Sequence, residues 1–144
     1  MKKAKITVIV ERGSGKRNFS AFAVENIGNM SVGGYGSTAR EAMDDCWTTV
    51  NEFREIAAER GEDFPDEVEL DFKFDIGAFF DYYPIDVTQA ARYIGINASV
   101  LRQYVTALRE PREAQIKKIK EGINRLAADL AMGKMIDKPA ADYV

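Results

Sequence analysis

The sequence predicts an α+β chain in two lobes, a β-β-β-α-β unit over residues 1–75 and an all-helical unit over residues 76–138, with a tail at 139–144. Three observations carry this reading. Apolar and polar residues alternate with a period of two at both ends of the first lobe, an apolar stripe at helical spacing lies between them, and beyond residue 75 only helical periodicity remains.

The first alternating run is Lys5 to Val10, with Ile6, Val8 and Val10 on one face. Arg12-Gly13-Ser14-Gly15-Lys16-Arg17 supplies turn residues before a second run from Phe19 to Glu25, so the pair reads as a β-hairpin. The order of elements places a third short strand near Ser31 to Tyr35, where Gly33 and Gly34 suggest a bulge. Thr38-Ala39-Arg40-Glu41 fits a capping box at a helix start. Ala42, Cys46, Val50, Phe53 and Ala57 then form one apolar stripe, and Gly61 is placed to end the helix. After Pro65, Glu67 to Asp75 alternates most cleanly of all, with Val68, Leu70, Phe72 and Phe74 facing one way and Glu69, Asp71 and Lys73 the other. The expected result is one sheet with a helix on its apolar face.

Composition bounds the function. A chain of 144 residues, 46% hydrophobic and 30% charged with four prolines, is long enough for one ordinary core or two small ones and is not disordered in character. Cys46 is the only cysteine and there is no histidine, which excludes an internal disulfide, histidine-based triads and histidine or multi-cysteine zinc sites. Neither a cofactor nor a metal is expected. Cys46 falls on the apolar stripe and reads as core. No apolar run approaches the ~18 residues of a membrane span, so a cytoplasmic protein with no membrane partner is expected. Residues 1–85 carry 10 basic and 16 acidic side chains, a balance of −6, whereas residues 86–144 carry 10 and 7, a balance of +3. Phosphate binding depends on local potential, so the second half tolerates DNA despite the net charge of −3.

The helical half opens with the aromatic segment Ala78-Phe79-Phe80-Asp81-Tyr82-Tyr83, which must stop before Pro84. Its aromatics read as packing, with a stacking platform for single-stranded bases as the sharper alternative. In Asp86 to Leu108, Asp86 or Thr88 can cap a helix that ends at Gly95, and Asn97 caps a second helix after a very short turn. So short a connection makes the helices cross steeply. Ala91 is small where the axes approach, and Ile94, Ile96, Leu101, Tyr104 and Val105 supply a buried wedge. These positions fit helix-turn-helix spacing, in which the start of the second helix enters the major groove. Thr88, Gln89, Asn97, Ala98, Ser99, Arg102 and Gln103 are the candidate DNA-binding residues. Ala98, Ser99, Arg102 and Gln103 should be exposed near the front of the second helix, where arginine suits guanine and glutamine suits adenine. A two-helix corner with a solvated polar face is the alternative. Glu110-Pro111 should start a last helix whose Ile116, Ile119, Ile123, Leu126 and Leu130 close the lobe or form a dimer contact. Lys117, Lys118 and Lys120 flank this stripe and read either as phosphate contacts or as a solvated face.

The order of the parts, together with Gly33-Gly34-Tyr35-Gly36-Ser37-Thr38-Ala39-Arg40-Glu41-Ala42, resembles the HicB-type antitoxins and their stand-alone relatives. The resemblance covers most of the chain. It implies a partial RNase H-like first lobe that lacks nuclease activity and contacts a small toxin protein or another copy of itself, and a second lobe that binds operator DNA. Where those antitoxins usually carry a proline-containing loop ending in a Gly-Cys pair, this chain has Glu25-Asn26-Ile27-Gly28-Asn29-Met30-Ser31.

Enzymatic readings fit poorly. Gly13-Ser14-Gly15-Lys16 has glycines and a lysine, but a Walker loop would need glycine at Val10 and Ser or Thr at Arg17, which leaves a hairpin turn. A two-metal nuclease needs converging carboxylates, and Glu69 and Asp71 face away from the apolar side of their strand. The expected protein is a transcriptional regulator, a dimer or tetramer on double-stranded DNA. A toxin-neutralising inhibitor and a ligand-sensing regulator remain open beside it.

Overall fold

The computed structural model describes residues 3–13 and 18–143. It is a mixed α/β structure whose four strands are β1 (Lys3–Arg12), β2 (Phe19–Ala23), β3 (Gly33–Gly36) and β4 (Glu67–Phe74). Five helices follow the pattern α1 (Ala39–Arg60), α2 (Ile76–Tyr82), α3 (Val87–Ile94), α4 (Ala98–Val105) and α5 (Glu113–Met132). The turn expected at Arg12 to Arg17 begins with the last residue of β1, and residues 14–17 lie outside the described residues. No helix among the described residues is long and apolar enough to cross a membrane.

The sheet order is β3-β2-β1-β4, with β1 antiparallel to β2 and parallel to β4. Parallel neighbours need a long crossover, which α1 provides. Its stripe settles on one face of the sheet, where Ala42, Cys46 and Val50 are fully buried against Val8, Val10 and Ala21. Val68 and Leu70 of β4 complete this core, while Phe72 and Phe74 are half-buried at its margin. Burial raises the Cys46 thiol to about 11, helped by the neighbouring Asp45 charge. It therefore stays protonated at neutral pH and acts as a small core hydrophobe.

The capping box is displaced by one residue. Thr38 Oγ1 accepts the Glu41 N–H at 3.1 Å as expected, but the Glu41 carboxylate reaches back to the N–H and hydroxyl of Ser37. Likewise, no bulge interrupts β3. Its pairing with β2 is continuous from Phe19↔Gly36 to Phe22↔Gly33, and its glycines serve a close approach of the helix. A Cβ on Gly34 would lie 2.4 Å from the Ala42 carbonyl oxygen. At this distance α1 also covers the outer edge of β3, since the Asp45 carboxylate accepts the Tyr35 N–H and the Thr49 hydroxyl donates to the Gly33 carbonyl. A strand edge whose amide and carbonyl are already occupied is protected from pairing with another chain.

A second core gathers Phe80, Ala90, Ala91, Ile94, Leu101, Tyr104 and Ile119. Within it lie all five residues of the expected wedge, with Ile96 and Val105 half-buried. The two cores meet at α2. Asp75 caps this helix by accepting the Ala78 N–H at 2.8 Å, and the same carboxylate accepts the Arg12 N–H at 3.2 Å from the end of β1. Ala78 belongs to the first core and Phe80 to the second. The chain passes from sheet to helices at Asp75, yet α2 serves both sides. Its Asp81 accepts the Ala39 N–H at 2.9 Å, placing a carboxylate at the positive end of α1. Tyr83 is extended before Pro84, as a residue preceding proline should be. Phe74, Phe79, Tyr82 and Tyr83 pack on one another, with ring centroids 4.7 to 6.4 Å apart, so these aromatics are spent on the junction between the cores.

Candidate nucleic-acid interface

Helices α3 and α4 are joined by the three residues Gly95, Ile96 and Asn97. Asp86, not Thr88, caps α3, its carboxylate accepting the Gln89 N–H at 2.8 Å. Gly95 ends α3 with φ 89°, and the Ile96 N–H returns to the Ala91 carbonyl at 3.0 Å, which folds Ile96 back onto the core. Asn97 then caps α4, its Oδ1 accepting from both Ser99 and Val100. Ala91, fully buried, lets the two helices approach. A Gly95→Val substitution is expected to cost ~1–3 kcal/mol, because a β-branched residue is strained at positive φ. Thermal denaturation should record this loss.

The candidate residues divide into three groups. Thr88, Gln89, Ser99 and Arg102 are exposed. The Arg102 guanidinium crosses from α4 to α3 and donates to Thr88 Oγ1 at 2.9 Å, so these residues form one continuous polar surface. Asn97 is exposed, but its carbonyl oxygen is committed to the cap. Ala98 and Gln103 depart from the expected exposure: both are half-buried, and Ala98 packs against the second core. For Ala98 the reason is the helical turn itself, while at Gln103 the loop after α4 folds back onto the helix. Ser99, Arg102 and Thr106, at intervals of three and four, share the solvent ridge, whereas Ala98 lies on the same side as Leu101 and Val105. Thr106 was legible from that spacing and absent from the sequence reading. It ends α4, with its hydroxyl donating to the Arg102 carbonyl at 2.9 Å.

Lys118 has a structural partner that its position in a basic run did not disclose. Its ammonium donates to the Gly95 carbonyl at 3.1 Å and so places a cation at the C-terminal end of α3. Lys117 and Lys120 are exposed. The expected helix start at Glu110-Pro111 is corrected to Glu113, because residues 107–111 form a loop in which the Leu108 and Arg109 N–H groups both donate to the Gln103 carbonyl. Helix α5 braces α3 through Gly122, where a Cβ would lie 2.5 Å from Ile94 Cγ1. On the other side of this contact Tyr93 hydrogen-bonds Asp129, which raises the tyrosine pKa, and Arg125 lies over its ring.

Among the described residues no group of three acidic or cysteine side chains is disposed to hold a metal ion. Glu69 pairs with Lys5 across the sheet at 3.7 Å, an exposed contact of small energetic weight. Comparison with protein-family models, with curated proteins and with solved structures finds no match for the chain.

Proposed function

We propose that this chain is a sequence-specific DNA-binding transcriptional regulator of the HicB-antitoxin type, in which α3, its turn and α4 act as a helix-turn-helix. The observation that carries the reading is the exposed polar surface of Thr88, Gln89, Ser99 and Arg102 on two short helices braced by a common core. Such a unit presents the start of α4 to the major groove, with the first turn of α3 near the phosphates. The balance of +3 over residues 86–144 supports attraction to DNA at this end of the chain. The protein acts by binding, in the cytoplasm, without a cofactor. Its sheet lobe contacts a small toxin protein or another copy of itself, in keeping with the resemblance.

One helix as short as α4 buries too little surface for useful specificity, so two copies should read inverted half-sites about 10 base pairs apart or a multiple of that. The test is binding to a genomic fragment library that includes the DNA upstream of the chain's own gene. Affinity should fall with salt at a logarithmic slope of roughly 0.9 per phosphate neutralised. Absence of binding at low salt would return α3 and α4 to the status of a structural corner.

A second reading, that the regulator senses a small ligand, is favoured by an open cleft of about 580 Å³ between the sheet and the loop after α4. Its charged lining is mixed, Arg12 and Arg109 with Glu11, Asp75 and Glu110, and it is of ligand size. Stabilisation of the fold by a small molecule from a metabolite library, with altered operator affinity, would distinguish this version.

A further inference from the structure

We propose that Thr88 is a positioning residue, whose hydroxyl aims the Arg102 guanidinium at a guanine in the major groove. This role rests on the DNA-binding reading and adds to it the device that sets its specificity. Thr88 and Arg102 are 14 residues apart on different helices, both exposed, and Arg102 Nη2 donates to Thr88 Oγ1 at 2.9 Å.

The hydroxyl is available because of where Thr88 stands in its helix. A threonine inside a helix commonly turns its hydroxyl to a carbonyl of the preceding turn. Thr48, Thr49 and Thr106 do so, donating to the carbonyls of Asp44, Asp45 and Arg102. Thr88 is the second residue of α3, and the residue four positions before it, Pro84, lies outside any helix. With no carbonyl of its own helix behind it, the hydroxyl serves the neighbouring helix instead.

Arg102 is held without being neutralised. Among the described residues the ion pair is that of Lys5 with Glu69, so a neutral oxygen fixes the direction of Arg102 while its charge stays available to a ligand. The contact also leaves the guanidinium competent for a base. Of its five N–H donors one goes to Thr88. Nη2 belongs to both two-donor edges of the fork, one shared with Nε and one with Nη1. Whichever Nη2 proton Thr88 accepts, the opposite edge keeps the two parallel donors that guanine O6 and N7 require. A phosphate accepts from many directions, whereas a base edge accepts from one, so a guanidinium fixed before contact suits base reading. Ordering one rotamer-rich side chain at the moment of binding weakens affinity by roughly 2- to 12-fold, and Thr88 orders Arg102 beforehand.

The experiment compares the native chain with Thr88→Val, which keeps the shape but removes the acceptor, and Thr88→Ser, which keeps the hydroxyl. Far-ultraviolet spectra should be the same for all three. In the free proteins, the heteronuclear Overhauser effect at Arg102 Nε should mark an ordered side chain in the native and Thr88→Ser chains and a mobile one in Thr88→Val. On an operator obtained by binding-site selection, Thr88→Val should bind about 2- to 12-fold more weakly, with relaxed preference for guanine at one base pair and an unchanged salt slope. Thr88→Ser should restore that preference, and a guanine analogue lacking N7 at the same position should weaken the native protein more than Thr88→Val. An Arg102 side chain equally ordered in the native and Thr88→Val chains, a guanine preference that survives Thr88→Val, or a uniform loss of affinity with a shallower salt slope would each overturn the role and leave the DNA reading standing. A native protein that binds no DNA would overturn that reading, and the role with it.

Discussion

Gly34→Ala is expected to destabilise the fold by about 3 kcal/mol or more, the upper end of what overpacking a closed interior costs. The new methyl group would meet the Ala42 carbonyl oxygen at 2.4 Å and the Cys46 nitrogen at 2.8 Å, both backbone atoms of α1 that no rotamer change can remove. Relief requires lifting α1 off β3. That movement would break the Tyr35–Asp45 and Thr49–Gly33 hydrogen bonds and open a void over Cys46 and Val50. Gly33→Ala is the matched control, because its Cβ would find only ordinary contacts at 3.5 Å. It should be neutral or stabilising by up to ~1 kcal/mol, through the reduced freedom of the unfolded chain. Denaturant midpoints for the two variants should therefore move apart. Similar losses in both would mean that the helix does not sit this close to the strand.

Arg102→Ala is expected to weaken operator binding by ~1–3 kcal/mol, roughly 5- to 150-fold, while leaving the melting temperature nearly unchanged. The side chain is exposed and its partner is the Thr88 hydroxyl, so little folding energy rests on it. If Arg102 reads guanine, preference at one base pair should relax. If it holds a phosphate, affinity should fall uniformly and the salt slope should shrink by about one. Gln103→Ala and Ser99→Ala are the companions, expected to relax selectivity at single positions with little effect on non-specific binding. Gln103, half-buried and beside the carbonyl that anchors the loop after α4, should show the smaller effect on selectivity of the two. Binding-site selection with the three variants measures all of this. Unchanged selectivity in all three, with the fold intact, would mean that α4 does not read sequence.

Much of this architecture was determined locally. Alternation in β1 and β4, the stripe of α1 and the capping residues Thr38, Asp86 and Asn97 act within a few residues of their own position, through pleat, helical period and unsatisfied backbone donors. The α3–α4 pair was legible for the same reason, since Gly95 and the wedge residues encode a turn and a buried face together. The tertiary structure alone decided whatever depends on a partner distant in sequence. It set β1 beside β4, pairing residues 64 positions apart in the sequence, gave Asp81 to the start of α1, and sent Lys118 to Gly95 instead of to solvent. Exposure was decided there too. The stripe of α5 is uniform in sequence, but α3 is only eight residues long and can cover only the middle of a helix of 20, leaving Ile116 and Leu130 bare at its ends. Periodicity states which residues share a face; how much of that face is covered depends on the length and placement of what packs against it.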